Sequence, residues 1–202
     1  RHGESEANVA GIIISDPEVG CQRYGLTEAG RAAVAATARD FASKVLTGSG
    51  QGTGAPVHLV SSDFLRTQET ASVFAETLES LGQASRLQLA TEARERYFGE
   101  LEGGPNNRYE EVWAQDRLDP SSRHAGAESV ASVHGRVAGL VARLEEGSEE
   151  DGSIVVIVAH GDSLQILQTA FQGIDPAEHR SLPHLNPAEV RELRPRDGSV
   201  ER

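Results

Sequence analysis

The first residues of the chain, Arg1-His2-Gly3-Glu4-Ser5 with Asn8 close behind, are of the types that chemistry on a phosphate requires. A guanidinium neutralises an oxyanion, an imidazole attacks phosphorus, and a glycine lets backbone approach a ligand closely. A second such element lies far along the chain. There the β-branched run Val155-Val156-Ile157-Val158 passes through Ala159 into His160-Gly161-Asp162-Ser163. Either tripeptide alone recurs by chance. Two His-Gly pairs at opposite ends of one chain demand elements that bring them together.

Those elements are legible in order. Residues 9–26 read as loop, punctuated by Pro17, Gly20 and Gly25. Thr27 is an N-cap, with Glu28 in the first turn, for a helix to about residue 46. Val34, Ala38, Phe41 and Val45 share one face of it. Residues 47–56 (TGSGQGTGAP) form a Gly-rich connection. They lack the Gly-Lys-Ser/Thr ending of a phosphate loop and follow a helix, not a strand. Residues 57–61 form a short buried strand, and a helix after Ser62 runs to about residue 81 with Gly82 as its stop. Arg86, a solvated edge residue, opens a weak strand at 87–90. A polar stretch follows at 92–108, then a short helix at 109–116 carrying Trp113, and irregular chain at 117–127. Ser129 begins an amphipathic helix with Val130, Val133, Val137, Leu140, Val141 and Leu144 inward, ended by a solvated acidic turn at 145–151. Residues 154–159 are the clearest strand. A helix follows at 163–171, stopped by Gly173. A last strand is expected near 188–193, and frayed residues close the chain.

Strands separated by helices pair in parallel through right-handed crossovers, with helices on both faces. Such sheets bind ligands beyond the carboxyl ends of their strands. Arg66 follows one strand and His160 another. His2 sits at the same edge if a strand precedes residue 1.

The bulk properties narrow the class. At 202 residues the chain suits one domain, here taken as 1–202, with room for a substantial core. No apolar run approaches the roughly 20 residues that span a bilayer, so no membrane partner is expected. A net charge of -12 argues against a nucleic-acid partner and makes any cation-lined anion site a local exception to the overall field. The single cysteine, Cys21, excludes an internal disulfide and points to a reduced, cytoplasmic setting. The absence of Met suggests that the natural N-terminus, with any targeting peptide, lies outside this sequence. His58, His124, His134, His179 and His184 lack metal-ligand spacing, so no metal site is expected.

Six motifs now stand in order: Arg1-His2-Gly3-Glu4-Ser5-x-x-Asn8, Leu26-Thr27-x-x-Gly30, Ser61-Ser62-x-x-x-Arg66-Thr67-x-x-Thr70-Ala71, Glu95-x-x-x-Gly99, Gly126-x-Glu128-Ser129 and His160-Gly161. As a set they resemble the histidine phosphatase superfamily, in the branch of cofactor-dependent phosphoglycerate mutases and related phosphatases. The resemblance runs from Arg1 to about Leu193. It implies an α/β fold, a three-layer open and mostly parallel sheet with helices on both faces, and a cap over the site at about 92–127. It also implies roles. His2 becomes phosphohistidine, while Arg1, Arg66 and His160 form a cationic pocket on the phosphoryl group and Asn8 adds a hydrogen bond. Glu95 protonates the leaving alkoxide and later takes a proton from water. No metal and no cofactor is implied.

Physical chemistry fits that division of labour. Phosphoryl transfer is mostly positioning and charge stabilisation, a task suited to forked Arg donors. The nucleophilic imidazole must be neutral, which nearby Arg charges favour. Its other nitrogen is expected to donate to a backbone carbonyl in the Gly3 loop. Glu95 must be protonated when the ester binds: cations oppose this and the phosphate dianion favours it. Around this centre, Gly161 belongs with His160. Arg23 either leans over the pocket or faces solvent. Tyr97, Phe98, Tyr109 and Trp113 either pack the cap's own core or wall a small organic phosphate. Asn106 and Asn107 are candidates to bond a hydroxylated substrate. Asp162 resembles the proton donor of the acid phosphatase branch, but Gly161 intervenes, so a turn or helix-cap role is expected.

Mutases of the family carry a Lys about eleven residues beyond the catalytic Glu and paired Arg residues further on. Here Asn106 holds the first position, and no Arg-Arg pair follows. The expected activity is therefore metal-independent hydrolysis of a small-molecule phosphate ester. Mutase-type transfer is one alternative. A truncated phosphate-binding or scaffold protein is another, because the family's central strand before the Arg-His pair is missing from the sequence. A His/Glu metal hydrolase is a third. The oligomeric state stays open.

Overall fold

Val57–Ser61 (β1), buried along its length, is the middle of a three-stranded sheet in the computed structural model, which describes residues 1–46 and 55–194. Ser85–Leu89 (β2) and Ile154–Val158 (β3) flank it in the order β2-β1-β3, and both pairings are parallel. All five residues of β3 are Val or Ile, a composition that favours pleated, packed backbone. β1 and β3 are in register from Val57–Ile154 to Ser61–Val158, so their side chains alternate together between the two faces.

Each face has its helices. Val57, Leu59, Ile154 and Val156 pack against Glu28–Phe41 (α3) and Leu65–Ser80 (α4) through Val34, Ala38, Phe41, Phe74 and Leu78. Val60, Val155 and Ile157 pack against Val130–Asp151 (α6) and Gly161–Gln172 (α7). Each such side chain stabilises the fold by roughly 1.5–3 kcal/mol when fully buried. A third cluster lies outside the sheet. Phe98, Leu101, Ala127 and Val112 of the short helix Tyr109–Asp116 (α5) close over Ile13. Backbone bonds from Ile13 to Gly104 and from Gly103 back to Ile13 tie this cluster to the loop that follows His2. None of the described helices is long and apolar enough to cross a membrane.

Several elements differ from expectation. The loop at 9–26 contains two short helices, Glu6–Ala10 (α1, whose start precedes it) and Pro17–Gly20 (α2), each capped by a side chain, Ser5 and Asp16. α3 ends at Phe41 and continues as a π-helical turn, Ala42–Leu46. β2 starts two residues earlier than expected and is largely exposed; Arg86 bonds His58 Nδ1 across to β1. The acidic segment after residue 144 is not a turn but the end of α6, stopped by Gly152 in the left-handed conformation. No strand forms at 188–193. Asn186 and Glu189 close a turn and Ala188 takes a φ of 61°, which breaks extended pairing. That segment instead bonds residues 1 and 2, through Ala188 N–H to the His2 carbonyl and the Arg1 nitrogen to the Glu189 carbonyl. The Gly-rich connection at 47–54 and the frayed residues after 194 lie outside the described residues.

α3 is seated directly on the loop carrying His2. Thr27 caps it by accepting from Gly30 N–H, and the Thr27 hydroxyl donates to Glu4 Oε1. A Cβ on Gly30 would stand 2.1 Å from the Glu4 carbonyl oxygen. Gly30→Ala is therefore expected to destabilise by roughly 1–3 kcal/mol through overpacking. Gly135→Ala, at an open position on α6 with no atom within 4 Å of the new Cβ, is expected to stabilise by about 1 kcal/mol. Urea midpoints of the two variants check both signs; a neutral Gly30→Ala would show that the Glu4 loop yields.

Candidate active site

The site is assembled where the chain passes the carboxyl ends of β1 and β3. His2 N–H donates to the Ala159 carbonyl just beyond β3. Gly3 N–H donates to Thr70 Oγ1 on α4, which holds the loop against the helix that carries Arg66. His2 is 3% exposed. Its Nδ1 lies 2.7 Å from the Gly3 carbonyl. A carbonyl only accepts, so Nδ1 carries the proton and Nε2 keeps its lone pair. Arg66 Nε donates to that Nε2 at 3.2 Å.

Arg66 is itself buried at the start of α4, with Nη2 donating to the Ile14 carbonyl and its guanidinium over the Phe64 ring. His160, wholly buried at the N-cap of α7, meets His2 edge to face with ring centroids 5.3 Å apart. Its Nε2 contacts Ser62 Oγ at 2.9 Å. Phe64 N–H donates to the same oxygen. Arg1 reaches in from the other side, with Nη1 on His184 Nε2 and the Leu185 carbonyl. Gly161 is the first residue of α7, and a Cβ there would stand 3.0 Å from His184 and 3.4 Å from the Arg1 guanidinium. Three buried nitrogens converge here without a protein partner among the described residues: Arg1 Nε, Arg66 Nη1 and His160 Nδ1. Buried donors are rarely left so, because each unmet one costs about 1–3 kcal/mol. An anion with several acceptor oxygens satisfies both guanidinium nitrogens, and His160 Nδ1 as well in the tautomer that places the ring proton there.

Glu95 closes the group. Its Oε1 accepts from the N–H of Arg96 and the N–H of Ser163, which leaves Oε2 to carry a proton. Burial pushes Glu95 above the usual carboxylate range, Asp162 adds to this, and Arg66 and the two N–H bonds oppose it. Burial first, then Arg66 and Arg1, hold the His2 imidazole well below its usual range. Burial, Arg66 and His2 do the same to His160. Both rings are neutral while the arginines carry the charge. Among the described residues no three His, Cys, Asp or Glu side chains gather as a metal-ligand set.

Thus Arg1, His2, Arg66, Glu95, His160 and Gly161 come together. The other candidates divide. Asn8 completes a capping box on α1, its Oδ1 accepting from Ser5 N–H and Oγ–H, so only its amide nitrogen is left for a ligand. Arg23 is exposed against Tyr24. Phe98 is no wall for a ligand: fully buried among Ile13, Leu101 and Val112, it packs beneath Tyr109. Asn106 is exposed, with its N–H on the Gly11 carbonyl. Asp162 does not cap α7; its carboxylate accepts from Trp113 Nε1 and pairs with Arg96. Residues not anticipated at the site are Ser62, Thr70 and His184, whereas Tyr109, one of the cap aromatics singled out in the sequence, shares the electrostatic field of Glu95, Arg66 and Arg1. Thr70 and Ser62 stood within the quoted motif; His184 carried no local signal.

Comparison with known proteins gives this arrangement a family. The sequence profile of the histidine phosphatase superfamily (branch 1) matches residues 1–201. A 2,3-bisphosphoglycerate-dependent phosphoglycerate mutase of Rhizobium etli is 28% identical over 181 residues, 87% of this chain and 78% of the relative. Its counterpart from a Methylobacterium species is 29% identical over 182 residues, 86% and 79% of the two chains. Among solved structures, a mycobacterial glucosyl-3-phosphoglycerate phosphatase in complex with VO3 superposes with a TM-score of 0.71 at 26% identity, covering 93% of this chain and 85% of that one. The alpha-ribazole phosphatase of Shigella flexneri, at 20% identity, shares the fold with a TM-score of 0.64 over 96% and 90% of the chains. With a match that runs from the first arginine through the His160-Gly161 pair, the chain belongs to the histidine phosphatase superfamily, branch 1.

Proposed function

We propose that the protein hydrolyses small organic phosphate monoesters, without a metal, through a phosphohistidine on His2. The observation that carries the reading is the His2 ring itself. Nδ1 is committed to the Gly3 carbonyl, and Nε2 faces Arg66 among three buried nitrogens without a protein partner among the described residues. In the first step Nε2 bonds to phosphorus as the ester P–O bond breaks, and Glu95 gives its proton to the departing alkoxide. Arg1, Arg66 and His160 share the charge on the equatorial oxygens. Water then attacks phosphorus, its proton passes to Glu95, and the N–P bond breaks to release phosphate. The likeness to a glucosyl-3-phosphoglycerate phosphatase supports a hydroxylated substrate, within a cap formed by 92–127 of the single domain. A reduced, cytoplasmic setting goes with that reading. A mutase is the second reading, favoured by the names of the two curated relatives. Against it, an exposed asparagine, Asn106, holds the position of the mutase lysine.

Phosphate release from 4-nitrophenyl phosphate is expected to survive EDTA and to fall by more than about 10³-fold in His2→Ala. Glu95→Gln is expected to cost about 10²–10⁴-fold on an alkyl phosphate. Rapid acid-free quenching should trap a phosphoenzyme that is stable to alkali and labile to acid. Turnover that persists in His2→Ala, or that EDTA abolishes, overturns the proposal. A phosphoglycerate mixed with a bisphosphorylated primer separates the two readings: free phosphate is expected, and isomerised product would establish the mutase.

The pH dependence has a definite sign. Reaction needs neutral His2 and protonated Glu95, so kcat/KM rises through the lowered His2 value and falls through the raised Glu95 value. The acid limb is therefore expected below pH 6.5. Stability follows the two histidines in the same direction. The unfolded chain binds protons at about pH 6.5, where folded His2 and His160 do not, so stability is full above that pH and declines as the pH falls toward the folded values. Urea midpoints between pH 8 and 5 check this, and midpoints that rise on acidification would refute it.

A further inference from the structure

We propose that Asp162 is a positioning residue for Glu95, tying α5 and α7 together so that the Glu95 carboxyl is held on the Ser163 and Arg96 N–H groups. The inference rests on the phosphatase reading above, in which Glu95 is the proton carrier. Asp162 is the second residue of α7 and 5% exposed. One carboxylate oxygen, Oδ1, accepts from Trp113 Nε1 at 3.0 Å and faces His179 Nε2 at 3.5 Å. The other, Oδ2, lies 3.4 Å from Arg96 Nη1. Arg96, fully buried, grips Asp116 with both terminal nitrogens at 2.6 and 2.7 Å and donates from Nε to the Glu128 carbonyl. The two N–H groups on Glu95 Oε1 thus belong to the chain neighbour of Asp162 and to its ion-pair partner.

A brace alone does not call for this chemistry. Buried ion pairs are often no better for stability than apolar packing of the same shape. Two carboxylates on one guanidinium leave a net negative charge in the interior, beside an acid that Arg1 and Arg66 would otherwise keep ionised. The groups facing Glu95 are Arg66 from α4, Arg1 from the first loop, Tyr109 from α5 and Asp162 from α7. Arg96 is its neighbour in the chain, and Arg136 of α6 donates to its backbone carbonyl. Of the acidic groups, Asp162 is the one that pushes Glu95 up most, after burial. Burial alone would raise Asp162 too, but His179, Arg96 and Arg180 together hold it below the usual range, so its charge is present whenever the enzyme works. The brace therefore places a permanent anion where it favours the protonated form of the acid. Trp113, stacked on Tyr109 and covered by the Arg180 guanidinium, carries this control into the segment that covers the site.

The test separates proton donation from folding. Nitrophenolate leaves phosphorus without help, whereas an alkoxide requires the proton of Glu95. In full-length Asp162→Asn, which preserves an acceptor for Trp113, kcat/KM for glycerol 3-phosphate is expected to fall about tenfold or more while that for 4-nitrophenyl phosphate stays within about twofold. The alkaline limb of the alkyl-ester profile is expected to move to lower pH. Trp113→Phe, which removes only the donor to Oδ1 and keeps an aromatic ring on Tyr109, should show the same selectivity in smaller measure; it decides the matter if Asp162→Asn does not fold. Equal losses on both esters with an unmoved alkaline limb, or no loss on either, overturn the proposal. Glu95→Gln is measured beside them. If it is indifferent to the leaving group, the assignment of Glu95 as proton carrier fails, and this inference fails with it. If it is selective while Asp162→Asn is not, only the role of Asp162 is lost.

Discussion

A hydrogen bond of 2.7 Å from His2 to the carbonyl of its own neighbour, Gly3, decides which nitrogen of the ring is free. It is a local bond, yet much of the molecule maintains it. The Gly3 N–H is held by Thr70, the Glu4 carbonyl is pressed by the start of α3, and His2 itself is bonded on both sides, to Ala159 and to Ala188. Remove any of these and the ring is able to turn, offering the wrong nitrogen to whatever Arg66 faces. α3 and α4 pack together beneath this loop, and the sheet edge lies beside it. The architecture is the means of keeping one tautomer and one ring orientation.

Charge is the second constraint. In a chain of net charge -12, Arg1 and Arg66 are placed where burial makes them costly and where neutral histidines, not carboxylates, are their nearest neighbours. The nearby acid, Glu95, is pushed above the usual carboxylate range by burial and by Asp162. Such a centre is uncompensated in the sense that matters for an anion: its positive charges have not been spent on internal salt bridges. Elsewhere in the molecule arginines are paired, as Arg94 is with Asp63, Arg96 with Asp116 and Arg136 with Glu128.

Much of this could be read from the sequence, for identifiable reasons. β1 and β3 announce themselves differently: β1 is a short strand buried along its length in the middle of the sheet, and β3 beside it is an unbroken run of β-branched residues. Arg66 and His160 follow from topology, since both stand just past a strand's carboxyl end. The bond from His2 to the Gly3 carbonyl follows from what a nucleophilic imidazole must do with its other nitrogen. What failed was tertiary in origin. The strand expected at 188–193 has suitable residues but a left-handed Ala188 and a turn at Asn186. Phe98 has the right composition for a ligand wall, and only the fold reveals that Ile13 and Tyr109 already cover it. The Arg96, Asp116, Asp162 and Trp113 cluster spans 66 positions between its furthest members, with no periodicity to betray it; Trp113 and Asp162 stood out singly, but nothing in the sequence joins them to Arg96 and Asp116.

The loop after His2 also joins two parts of the molecule. Within a few residues, the Ile14 carbonyl receives Arg66, Ile13 exchanges backbone bonds with Gly103 and Gly104, and Ser15 meets Glu102 by both N–H and hydroxyl. One short stretch thereby serves as the common datum for the chemical centre and for the covering segment. The far side of that segment, around Asn107 and Arg117 to Pro120, makes few of these bonds and is largely exposed. A change there would leave untouched the bonds by which Ile13, Ile14 and Ser15 tie Arg66 to the covering segment. A fold wired in this way keeps the shape of its outer cover separate from the geometry of its buried centre.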